Sequence, residues 1–109
     1  MSYNLVAIVN CPLGMAQTYM VAAALKEECE KRGYKLKVET QGVFGSVYTL
    51  DTVDIQESDV VILALGKELP EDLVWRLKDK KTFRRDVKAF LTQTSILIDE
   101  LEEELSQKL

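Results

Sequence analysis

Two short runs of this chain, Tyr3–Val9 and Asp59–Leu65, are almost wholly apolar, and they restrict its fold more than any other feature. A strand with one wet face alternates polar and apolar residues. A strand that is apolar at every position must be covered on both faces, as in a parallel sheet lying between layers of helix. The segments between these runs supply such helices. Gln17–Arg32 contains no helix breaker, places Ala22, Leu25 and Cys29 on one face, and is followed by Gly33, a C-terminal stop. Lys35–Gln41 alternates, with Leu36 and Val38 against Lys35, Lys37 and Glu39, and reads as a second strand. Gly42 and Gly45 open a loop running to about Leu50, and Asp51 is the N-cap of a short helix, Thr52–Glu57. Beyond the turn bounded by Gly66 and Pro70, a brief helix is expected over Glu71–Lys78 and a fourth strand over Lys81–Arg85. The last element is one long helix, with Val87, Phe90, Leu91, Thr94, Leu97, Ile98, Leu101 and Leu105 at three- and four-residue steps.

Strands alternating with helices imply βαβ units. The expectation is one domain over residues 1–109: a three-layer α/β/α sandwich with a small, four-stranded parallel sheet, Rossmann-like in plan. In such sheets ligands bind outside the carboxyl ends of the strands, beside helix N-termini. Cys11 falls there, between the first strand and the first helix.

The composition removes whole classes of chemistry. A net charge of −4 argues against nucleic-acid binding, which rests on phosphate neutralisation. With no histidine there is no histidine general base, no phosphohistidine and no His-containing metal site. Two cysteines do not make a disulfide framework, which suits a reducing compartment, and no metal or cofactor is expected. Val60–Leu65 is far shorter than the roughly 20 residues that span a bilayer. The N-terminal stretch lacks a basic region and is interrupted by Asn10, Pro12, Gly14, Gln17 and Thr18, so a cytoplasmic protein without membrane insertion is expected.

The segment Cys11–Thr18, C-P-L-G-M-A-Q-T, has the parts of a covalent anion carrier. The first turn of the helix leaves backbone N–H groups without intrahelical partners, and the helix dipole adds positive potential. Gly14 permits close approach to an oxyanion, Pro12 restricts the entry of the loop, and Thr18 can cap the helix or bond the anion. The same field makes Cys11 a better nucleophile than a free cysteine. The competing reading is plain: a buried small hydrophobe at 11, a turn glycine at 14 and a cap at 18.

C-P-L-G-M-A-Q-T-Y-M resembles the active-site loop of the fructose-type enzyme IIB components of the bacterial sugar phosphotransferase system. Cys11, Pro12, Gly14, Ala16, Thr18 and Met20 match its pattern C-P-x-G-x-A-x-T-x-M. A second match, V-E-T-Q-G at Val38–Gly42, closes the second strand, and Gly45, Leu50, Asp54, Ile55, Asp59, Val61 and Ile62 keep the spacing to the third. The resemblance implies that Cys11 accepts phosphate from a phosphohistidine on enzyme IIA. It then passes the phosphate to a fructose-like sugar at the membrane component, enzyme IIC, which would hold this protein at the membrane. It further implies that Pro12, Leu13, Gly14, Met15, Ala16, Gln17 and Thr18 surround the phosphate, with Glu39, Gln41 and Gly42 nearby. Glu39 reads equally as a solvated or structural carboxylate. Gln17 departs from the family, which commonly has histidine there; an amide can donate to phosphate but does not titrate near neutrality.

Two other readings stand beside this one. A IIB-like module could keep the fold and serve regulation or binding with little transfer. A cysteine phosphatase needs C-x₅-R, and position 17 is Gln. Elsewhere, Cys29 is expected to be buried, and Trp75 fits core or surface. The basic run Lys78–Arg85 is either a docking patch or ordinary surface. The acidic residues Asp99, Glu100, Glu102, Glu103 and Glu104 are expected to be solvated, although they sit unfavourably at a helix C-terminus.

Overall fold

The computed structural model describes residues 3–11, 15–42, 45–47 and 50–106, with the backbone alone at 15–16, 42 and 45–47. The chain runs β1 (Asn4–Asn10), α1 (Met15–Lys31), β2 (Lys35–Gly42), β3 (Gly45–Val47), α2 (Thr52–Glu57), β4 (Val60–Leu65), α3 (Glu71–Arg76), β5 (Thr82–Asp86), α4 (Ala89–Thr92) and α5 (Thr94–Ser106). The sheet order is β3-β2-β1-β4-β5. β2, β1, β4 and β5 form the expected four-stranded parallel sheet. The short β3 extends it, pairing antiparallel with β2 where a plain loop was expected.

The two apolar runs are the two central strands, and alternation divides their side chains between two cores. Leu5, Ala7 and Val9 of β1 and Val60, Ile62 and Ala64 of β4 face one way. They meet Val21, Leu25 and Cys29 of α1, Phe90 of α4, and Leu97, Ile98, Leu101 and Leu105 of α5. Val6 and Ile8 of β1 with Val61, Leu63 and Leu65 of β4 face the other way, against Leu50, Ile55 of α2, and Leu73 and Leu77 at α3. Both faces of the central strands are therefore dry, the condition their sequence demanded. β5 lies at the edge, buries only Phe83 of its five residues, and carries Arg84 and Arg85, charges that discourage edge pairing.

Local signals act where they were expected. Gly33 takes φ +77°, the left-handed turn that ends α1. Asp51 caps α2 in a capping box: its carboxylate accepts from Asp54 N at 2.8 Å, and Asp54 accepts from Asp51 N at 3.2 Å. The final helix differs from expectation because it is two helices. Gln93 leaves helical geometry at φ −129° and ψ 28°. Next to it, the Thr94 hydroxyl donates to the Phe90 carbonyl, replacing backbone bonding with a side-chain bond. The apolar face survives the break, since Phe90, Leu97, Ile98, Leu101 and Leu105 are all buried.

β1 leads to β2 on one side and, after β2, the chain returns past β1 to lay β4 on the other. The order reverses between β1 and β4, so the crevice outside their carboxyl ends is the switch point of the sheet.

Candidate active site

Cys11 follows the last residue of β1 at this switch point and is buried, with 3% of its surface exposed. α1 begins four positions later, at Met15, and runs for 17 residues. Its first turn contains no acidic residue, whereas α2 has Asp54 there and α3 has Glu71 and Asp72. Those acids complement the positive ends of the short helices; among the described residues no first-turn carboxylate does so for α1. The Cys11 thiol donates to Gln17 Oε1 at 2.6 Å, so the side chain from the first turn lies directly on the sulfur. Thr18 is buried at the same end of the helix. The side chains of Met15 and Ala16 are not described, and Pro12, Leu13 and Gly14 lie outside the described residues.

Asn10, the residue before Cys11, is fully buried and joins three strand ends. Its Oδ1 accepts from the backbone N–H of Gly66 at 2.9 Å and of Lys67 at 3.1 Å, just past β4. Its Nδ2 donates to Gln41 Oε1 at 3.3 Å, across the Asn10–Gln41 register of β1 and β2. Gln41 Nε2 in turn donates to Glu39 Oε2 at 2.9 Å, and Glu39 Oε1 accepts from Leu50 N at 2.9 Å. Glu39 and Gln41 are therefore brought to the site, joined to Cys11 through its neighbour Asn10. Glu39 is buried and structural, not solvated. Gly42 closes β2 beside them, against Gly45 of β3. Sequence reasoning left Asn10 unassigned. Its signal was a polar residue ending an apolar strand that is buried on both faces.

The other cysteine has no part in this geometry. Cys29 lies on the buried face of α1, and burial pushes its thiol up to about 11, with Arg32 opposing and Glu28 adding to the shift. Trp75 lies on the surface, 69% exposed, with Lys78 Nζ 3.9 Å from its ring centroid. The basic run is largely engaged within the chain. Lys80 donates to the Ser58 carbonyl, Arg84 pairs with Glu68 at 2.9 Å, and Arg85 reaches Glu100 and Glu104 at 3.3 and 3.5 Å. Among the described residues, no group of three potential metal ligands converges.

The model of the family described as "PTS system, Lactose/Cellobiose specific IIB subunit" matches residues 6–105. The chain is 32% identical over 108 residues to a "PTS system fructose-like EIIB component 1" of Escherichia coli K12, covering 99% of this chain and 98% of that one. It is also 40% identical over 100 residues to a "Fructose-like PTS system EIIBC component" of the same organism, covering 92% of this chain. That protein is much longer, and the match spans 21% of its length. Among solved structures, the solution structure of an enzyme IIB subunit of the E. coli K12 PTS system superposes with a TM-score of 0.87 at 32% identity, covering 99% and 98% of the two chains. The crystal structure of a predicted fructose-specific IIB from E. coli gives a TM-score of 0.90 at 29% identity, with 98% and 93% covered.

Proposed function

Since this chain belongs to the IIB family of the sugar phosphotransferase system, whose members are phosphotransferases, we propose that it carries a phosphoryl group on Cys11 in the uptake of a fructose-like sugar. The donor is the phosphohistidine of an enzyme IIA. The acceptor is a hydroxyl of the sugar held by an enzyme IIC, a component whose letter appears in the names of the longer relatives. No helix among the described residues is long and apolar enough to cross a membrane, which suits a cytoplasmic carrier meeting the membrane through enzyme IIC.

The chemistry takes two displacements at phosphorus. In the first, the Cys11 thiol gives its proton to solvent and the thiolate attacks, an S–P bond forms, the N–P bond of the donor breaks, and the departing imidazole takes up a proton from solvent. In the second, a sugar hydroxyl attacks the phosphocysteine, the S–P bond breaks, and the hydroxyl proton leaves to solvent. Phosphoryl transfer asks a protein mainly for position and for stabilisation of charge. The observation that carries the reading is the placement of Cys11. It sits at the switch point of the sheet, before a helix of 17 residues whose first turn holds no carboxylate. Residues 12–18 surround the phosphate in this reading, chiefly through backbone N–H groups. Gln17 contributes its amide: Oε1 accepts the hydrogen bond of the thiol at rest, and a half-turn of the amide presents Nε2 to a phosphate oxygen.

Incubation with a phosphorylated IIA donor, followed by mass spectrometry of the intact protein and its peptides, tests this directly. A single phosphate on Cys11 is expected. Cys11→Ser should remove it, and Cys29→Ser should leave it in place. Labelling that survives the loss of Cys11 would sink the assignment.

A further inference from the structure

The hydrogen bonds from Gly66 and Lys67 to Leu50 form one chain with a forced direction. At one end two backbone N–H groups, which can only donate, meet Asn10 Oδ1 at 2.9 and 3.1 Å. This fixes the Asn10 amide, so Nδ2 must face Gln41 and Gln41 must turn its oxygen toward it. Gln41 Nε2 is then left to donate, and it meets Glu39 Oε2 at 2.9 Å. At the other end the Leu50 N–H, again only a donor, occupies Glu39 Oε1. Neither amide can flip without setting donor against donor or acceptor against acceptor. Asn10, Glu39 and Gln41 are 0%, 3% and 8% exposed, so water cannot repair such a mismatch.

We infer that Asn10 is a positioning residue for phosphoryl transfer: with Gln41 and Glu39 it locks the carboxyl ends of β1, β2 and β4 around Cys11. This rests on the Cys11 reading. Asn10 shares a peptide bond with Cys11, and its side chain holds the backbone of the Gly66–Lys67 turn, the other wall of the switch-point crevice. A carboxylate at position 10 could also accept from both N–H groups, but it would place negative charge beside the incoming phosphate. The relay instead anchors the network on a carboxylate two side chains away. It therefore supplies the rigidity of a charged acceptor while presenting a neutral amide next to the nucleophile.

The forced direction yields a compensation test. In Glu39→Gln, the new NH₂ faces Gln41 Nε2, and every rearrangement leaves one donor–donor clash. In Asn10→Asp, Gln41 can flip to donate to Asp, but its oxygen then faces the Glu39 carboxylate. In Asn10→Asp/Glu39→Gln all links can form again with the direction reversed, and the net charge is unchanged. Each single variant should be less stable in urea, and Glu39→Gln should exchange its Lys67 amide proton at least about tenfold faster; the Gly66 N–H also donates to the Asn10 backbone carbonyl at 3.0 Å and is held there. The double variant should be more stable than either single and should recover that protection. At 10 °C, Glu39→Gln should take phosphate at Cys11 at least about tenfold more slowly at saturating donor, with the KM for donor unchanged. If Glu39→Gln does not fold, Gln41→Ala, which removes the middle link, takes its place in the rate measurement.

A folded relay variant that transfers at the wild-type rate would overturn the positioning role, as would a double variant less stable than both singles. Wild-type protein in the same assay separates this from the parent reading. If wild type takes no phosphate on Cys11, that reading fails, while the exchange and stability cycle still decides whether the relay locks the strand ends.

Discussion

The Cys11 sulfur and Gln17 Oε1 lie 2.6 Å apart, although one residue follows a strand and the other belongs to the first turn of a helix. An amide in that position can serve both states of a carrier, accepting from the thiol and donating to a phosphate once turned. It cannot supply or remove a proton near neutral pH. The chain has no histidine, so the pH profile of phosphate acceptance, corrected for the donor, should show no histidine limb. Gln17→His should add one near the ordinary imidazole value of about 6.5. It should also change the phosphocysteine lifetime by about tenfold through a charge-assisted bond. If neither the profile nor the lifetime moves, position 17 does not touch the phosphate.

Cys29 should make stability fall in alkali. Burial raises its thiol from 9.0 to about 11. Between those values the unfolded chain has lost the proton and the folded chain keeps it, so the folded state binds more protons and stability declines as pH rises. The contribution is intact below about 9 and is lost by about 11, a change of roughly 2–3 kcal/mol. Cys29→Ala leaves a small cavity and should be less stable than wild type at pH 8. Its urea midpoint should then decline less steeply toward pH 11, so that the two curves converge. Parallel curves would show that Cys29 does not carry the slope.

The sandwich was legible because its decisive signals are local. Val60–Leu65 needs only its own composition to demand two dry faces, Gly33 needs only its missing side chain to turn the chain, and Asp51 needs only Asp54 to cap α2. The position of Cys11 was legible for a similar reason, since the end of a strand and the start of a helix lie within a few residues of it. The remainder depends on partners distant in sequence. Asn10 was only a break after an apolar run until β2 and β4 brought Gln41, Gly66 and Lys67 to it. β3 is only three residues long and exists through its pairing with β2. The break at Gln93 interrupts a periodicity that stays continuous in sequence, because both helices keep the same buried face.

The acidic end of α5 shows the same dependence on distant partners and yields the last prediction. Five carboxylates at a helix C-terminus oppose its dipole. In the folded chain Arg32 at the end of α1 reaches Asp99 and Glu102 at 2.9 Å each while holding Glu28 at 2.8 Å, and Arg85 of β5 reaches Glu100 and Glu104. Tyr34 also donates its hydroxyl to Glu102. The arginines thus offset the mutual repulsion of the acids and tie α5 to α1 and to the edge strand. The Arg32 side chain is 17% exposed, whereas Asp99 is 64% exposed, so solvent screens part of the attraction. Arg32→Met keeps most of the aliphatic stem but removes the charge, and should cost about 1–2 kcal/mol at low salt. Arg85→Met, whose contacts are longer and more exposed, should cost about 0.5 kcal/mol. Raising ionic strength from 0.01 to 1 M should shrink both losses, because the carboxylates left without an arginine repel one another less when screened. Urea midpoints of the three proteins across that range decide the matter, and a loss for Arg32→Met that does not change with salt would assign its role to packing of the stem instead.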